Sequence, residues 1–360
     1  MLAPLRDYLR PKDPASSPLL GMTKECYFTR LSVNIDPDNP TFEESKWVSS
    51  EDVNVEHLLD VFISVDPNSK NVWDACIKFM VHLFWHKPRV VILGPKIEAL
   101  PDNHPSKAEC LQGLSFLFDS VGNRVEQKRL LSHSLKLWRE QGNDHQVALT
   151  LRFLSVANRL IGLHKEGIQQ AKEASGIFER LGETMDHARC LIGLARALKV
   201  DDQLDAAEEA ASRALDLLPE KGEQFHACQG HRVLGEIYRA KGDTEKAIHH
   251  FEAVLGIASS FDWHSQLFWI HWSLAQLFSG KGRFDDAHAH LQHAKSRAVS
   301  NLFQLARASQ LQARFWYKQH RPEEAGSEAF RALGLFEKLG ATNHTKATRK
   351  LLGRIDALVE

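Results

Sequence analysis

One pattern returns along this chain at a constant spacing of 40 residues, and that spacing constrains the fold more than any other feature. A leucine falls at Leu114, Leu154, Leu194, Leu234 and Leu274. A small residue follows each at Ser115, Ser155, Ala195, Gly235 and Ala275. Turn-forming residues stand at Gly122, Gly162, Asp202, Gly242 and Gly282. A second small position reads Gln127, Gly167, Ala207, Ala247 and Ala287, and a third reads Ser134, Ala174, Ala214, Val254 and Ala294. A sixth copy runs two residues early, with Ala313, Ala325 and Ala332. Self-similarity at a fixed period of this length means stacked structural units sharing one continuous core.

Between its turn residues each copy carries apolar positions at helical spacing, so each copy reads as two helices. Gly242-Asp243 shows how they join. The glycine adopts the left-handed conformation that ends the first helix, and the aspartate caps the orphan N–H groups of the second. Small residues let the two backbones approach, while Leu234, Ile237, Tyr238 and Phe251, or Leu274, Leu277, Phe278 and Leu291, fill the sides. Pro322 fits the first turn of the last second helix, and Pro219 ends the second helix of the third pair. The pattern predicts an all-α superhelix: six pairs over residues 106–340 and a capping helix within 341–360. Residues 1–50 form an irregular, proline-broken segment with a helix over 19–31. Residues 51–105 form a degenerate helical region: a helix starting at Ser50-Glu51-Asp52, another over about 71–85, and a strand or helix turn at 90–93.

Composition excludes several classes of function. Hydrophobic residues make up 43% and charged residues 25%, ordinary for a folded domain and too apolar for disorder. A formal net charge of −1 gives no bulk attraction to nucleic acid. Cys26, Cys76, Cys110, Cys190 and Cys228 show no metal-type spacing and read as reduced thiols of a cytoplasmic protein. No apolar run matches a signal peptide or a membrane span. His288, His290 and His293 cluster in one second helix, with His249 and His250 in the helix pair before. They lack a Cys or Glu partner, so they read as a solvated face and no metal is expected. No nucleophile elbow, zincin motif or GxxxxGK[ST] loop is present. No catalytic residue, cofactor or enzymatic activity is therefore expected.

The informative constellation is a surface. The register places several residues of the first helices on one face. The columns read Arg159, Lys199 and Arg239; Arg152, Ile192, Arg232 and Trp272; and Arg189, Gln229, Trp269 and Arg307, with Arg196 and Arg314 in a fourth. Either these cations pair internally, for example with Glu236 or Asp119, or they form a basic concave groove. Such a groove suits a protein or peptide partner with an acidic segment, the tryptophans anchoring an apolar side chain. Trp269, beside Phe268, also suits core filling. Binding of a nucleic-acid backbone is the remaining reading of the groove.

The order leucine, small, aromatic, glycine, alanine, aromatic at Leu234, Gly235, Tyr238, Gly242, Ala247 and Phe251 resembles the tetratricopeptide repeat, whose unit is about 34 residues. The longer unit here requires longer helices or longer loops. The resemblance implies a right-handed superhelix that recognises proteins. The opening YLRPKDPASSPLLGMTKECYFTRLS, with the array behind it, also resembles the C-terminal part of fungal NLR-type proteins. That resemblance implies a winged-helix remnant in residues 1–50. It also implies a sensor or scaffold role, or an array that restrains the NTPase domain of a longer protein.

Overall fold

The computed structural model describes residues 42–86, 91–219, 222–261, 263–298, 301–339 and 341–358. Every regular element among them is a helix. In chain order these are α1 (Phe42–Val65), α2 (Lys70–His86), α3 (Gly94–Ala99), α4 (Lys107–Ser120), α5 (Arg124–Glu140), α6 (Asp144–Leu160), α7 (His164–Leu181) and α8 (Thr184–Val200). They continue as α9 (Leu204–Leu217), α10 (Gln224–Lys241), α11 (Thr244–Ser260), α12 (His264–Gly280), α13 (Phe284–Arg297), α14 (Leu302–Lys318), α15 (Pro322–Lys338) and α16 (Thr342–Asp356). The chain divides into two compact units, Met1–Ala197 and Leu198–Glu360.

Helix length sets the 40-residue period. α5 and α6 have 17 residues each, and three residues follow each of them before the next helix. Seventeen, three, seventeen and three make 40. The longer unit therefore comes from longer helices joined by tight turns. Within each pair the turn residue is left-handed: φ is +82° at Gly122, +88° at Gly162, +60° at Asp202, +83° at Gly242, +75° at Gly282 and +54° at His320. At Gly242 the turn closes with Gly242 N–H donating to the Arg239 carbonyl and Asp243 N–H to the Tyr238 carbonyl. Asp243 Oδ1 then accepts from Lys246 N at 3.2 Å, and Asn123, Asn143 and Asn301 cap α5, α6 and α14 in the same way.

All the small repeat positions are buried, and Ala195, Ala207, Ala247, Ala275, Ala287, Ala313, Ala325 and Ala332 have no accessible surface. In the first unit, a Cβ added at Gly167 on α7 would lie 3.0 Å from the Ser155 carbonyl oxygen on α6. In the second, a Cβ at Gly235 would lie 2.5 Å from a ring carbon of Phe251. At Gly167 the two backbones meet, and at Gly235 an aromatic ring packs directly on the backbone.

The N-terminal helices differ from the sequence reading. α1 does not begin at Ser50-Glu51-Asp52 but runs through them from Phe42. Capping residues permit a helix start without enforcing one, and serine or aspartate inside a helix costs only about 0.5 kcal/mol. The core stripe of α1, Val55, Leu58, Leu59, Phe62 and Ile63, packs with Trp73, Cys76, Phe79, Met80 and Leu83 of α2 in one hydrophobic cluster. Val91 to Leu93 is a turn leading into α3, with Val91 and Leu93 buried. The helix expected over 19–31 lies outside the described residues. At the other end α16 begins at Thr342, and its Leu351, Leu352 and Ile355 cover Ala313, Ala325 and Ala329. Cys76, Cys110, Cys190 and Cys228 are free and buried. Burial pushes the Cys190 thiol up to about 12 and that of Cys228 to about 11, which keeps both protonated and unreactive.

Candidate functional site

The sequence-derived surface residues sit on first helices: Arg152 and Arg159 on α6, Arg189, Arg196 and Lys199 on α8, Arg232 and Arg239 on α10, Trp269 and Trp272 on α12, Arg307 and Arg314 on α14. Helix periodicity places them between the core positions, so Leu154, Leu194, Leu234 and Leu274 are buried while Arg239 and Arg314 are exposed and the remainder half-buried.

Part of this charge is neutralised internally. Glu236 receives both Lys199 and Arg232, the latter at 3.0 Å. Arg189 holds Asp186 at 3.3 Å. Arg159 and Arg196 also engage neighbouring groups. Asp119 goes to Arg124 instead.

The second unit keeps a less compensated cluster. Trp269 and Trp272 meet edge to face, with ring centroids 5.7 Å apart at 81°. The Arg307 guanidinium lies over the Trp272 ring, 4.6 Å from its centroid. Phe268 fills the core with no accessible surface, whereas Trp269 stays half-buried on the face. Arg307 donates to His344 Nδ1 at 3.4 Å and forms no ion pair among the described residues. Burial, then the nearby charge of Arg314, holds the Arg307 guanidinium below its usual pKa. Arg307 Nε and Trp272 Nε1 are both shut from solvent without an acceptor among the described residues. Two cations and two half-buried indoles thus lie together, a set suited to an anionic group beside an apolar one.

The histidines are placed differently from the solvated face expected of them. Of the five, His249 and His293 are exposed and His250, His288 and His290 half-buried. His250 pairs with His231 and His290 with His271, each with Nδ1 atoms 3.0 Å apart, across the two helices of a pair. His288 lies against Trp316 and bonds Gln312 and Gln319. No group of three His, Cys, Asp or Glu side chains among the described residues is arranged to hold a metal ion. No helix among them is long and apolar enough to cross a membrane.

These repeated pairs have known counterparts. Residues 228–298 match the tetratricopeptide repeat family. The match covers α11, α12, most of α10 and all of α13. No curated protein matches the chain. Among solved structures, the chain is similar to the Rap protein complexed with Competence and Sporulation Factor: 11% identity, TM-score 0.60, 94% of this chain and 98% of that one. It is similar to the apo form of the quorum sensor NprR from B. thuringiensis at 12% identity and TM-score 0.58, covering 94% and 100%. Aspartyl phosphate phosphatase F from Bacillus subtilis matches at 10% identity and TM-score 0.55, covering 95% and 94%. At such identities the likeness shows the fold, an α-α superhelix of tetratricopeptide-type pairs.

Proposed function

We propose that the chain is a non-catalytic, cytoplasmic recognition module, and that the first-helix face of its second unit binds an acidic protein segment. The observation that carries this reading is Arg307 stacked on Trp272 beside Arg314, with no carboxylate paired to either arginine among the described residues. Such an assembly leaves positive charge for a ligand to satisfy. The half-buried indoles supply apolar anchoring of the kind that dominates binding energy at interfaces. The structural likeness to a Rap protein complexed with Competence and Sporulation Factor supports use of this fold for binding. No cofactor is needed for this role. A net charge of −1 favours a local acidic ligand over a nucleic-acid backbone.

The test is affinity capture at low and moderate salt, comparing wild type with the double variant Arg307→Glu, Arg314→Glu. The double variant loses the partner, and wild-type recovery falls as salt rises. Equal recovery by both proteins contradicts the reading.

A further inference from the structure

The first unit holds a second cationic feature. Arg152 on α6 lies over the Phe153 ring, its guanidinium carbon 4.5 Å from the centroid. Its Nε is shut from solvent and donates to nothing. Among the described residues Arg152 makes neither an ion pair nor a hydrogen bond. Its nearest charges do not neutralise it: Asp186 is already held by Arg189 at 3.3 Å, and Arg189 is itself a cation. Burial, with Arg189 adding to it and Cys190 and Asp186 opposing, holds the guanidinium below its usual pKa. A guanidinium without an acceptor in such surroundings costs free energy that a paired one would not. Leading up to it, the half-buried rings of Phe84, Phe116 and Phe153 form a row: Phe84 lies tilted on Phe116 with centroids 5.9 Å apart, and Phe116 meets Phe153 edge to face at 4.7 Å. The apolar row ends at the cation.

We propose that Arg152 is an oxyanion site, filled by a carboxylate of a bound segment whose adjoining apolar side chain rests on Phe116 and Phe153. The fork of a guanidinium matches a carboxylate in two parallel bonds. Charge complementarity selects the occupant: the row accepts an apolar group and the site at its end accepts only a negative one. This rests on the recognition reading above but locates a distinct subsite in the other unit, so the two can fail separately.

The test uses the full chain with sodium glutarate and inorganic phosphate as probes, against chloride at matched ionic strength. Thermal melts of wild type rise by a few degrees, saturably, with glutarate. Arg152→Met melts in chloride at or above wild type, because an uncompensated charge is gone, and loses the glutarate response. Arg152→Lys keeps the charge without the fork and responds only in part. Arg307→Met retains the full response, whatever becomes of partner capture. A response to phosphate but not glutarate overturns the carboxylate assignment. Equal responses in wild type and Arg152→Met, or no response in either, overturn the site itself. An Arg152→Met melt well below wild type in chloride also overturns it, since the arginine would then serve packing alone.

Discussion

His231 and His250 face each other across the fourth helix pair with Nδ1 atoms 3.0 Å apart, and His271 and His290 repeat the contact 40 residues later. Such a bond needs one ring as donor and the other as acceptor, so the accepting ring of each pair is neutral and a pair cannot hold two protonated rings without losing the contact. Tyr238 stacks on His250 and Phe278 on His290.

Acid should therefore destabilise the second unit. Burial first, then the neighbouring histidines, lowers His250 and His271 each to about 4, with Lys246 adding to the shift at His250 and Arg297 at His271, and Glu208 opposing it at His250. His231 and His290 are shifted down as well. An unfolded histidine takes its proton near pH ~6.5. Between about 6.5 and about 4 the unfolded chain binds protons that the native pairs refuse, so stability is full above that window and falls through it as pH drops. Denaturant midpoints measured across the window should show the fall, and His271→Gln with His290→Gln should flatten it. An identical slope in the double variant counts against the pairs.

Close backbone approach predicts intolerance of added volume. Ala247→Leu and Gly235→Val should each cost about 1–3 kcal/mol in chemical denaturation, because Ala247 has no accessible surface and a Cβ at Gly235 runs into the buried ring of Phe251. An unchanged midpoint would mean that the crossing is looser than the structure shows.

Two turns carry a residue the backbone does not favour. Asp202 and His320 adopt positive φ where the other within-pair turns use glycine. Asp202→Gly and His320→Gly should each stabilise by about 0.5–1 kcal/mol, the relief of left-handed strain exceeding the entropy cost of glycine. A loss of stability would show that the native side chains make compensating bonds.

Lys107 is 1% exposed and donates to the carbonyls of Glu98 and Leu100 at 2.6 and 2.7 Å, closing the end of α3. Lys107→Met leaves both acceptors without their donor and should cost about 1–3 kcal/mol. A methionine variant as stable as wild type would assign the lysine no capping role.

The helix pairs were legible because every small position recurs at one spacing and each must be buried for a pair to close. The histidine pairs were not, although His231 and His271, like His250 and His290, stand 40 residues apart. Recognising them requires knowing which faces of two helices meet, and counting along one helix does not show that. The same holds for the cations. Spacing put Lys199 and Arg232 on the first-helix face and named Glu236 as a candidate partner, but only the folded geometry shows that Glu236 takes both. At α1, Ser50 to Asp52 lie inside a helix that begins at Phe42, because capping residues permit a helix start without enforcing one.

The central claim concerns which face receives the partner. A photo-crosslinking residue, p-benzoylphenylalanine, placed at Trp272 on α12 or at Phe330 on α15, which is 64% exposed, decides it. Adducts with the captured partner should form from position 272 and not from 330. Adducts from 330 with none from 272 would place recognition on the second helices and contradict the account.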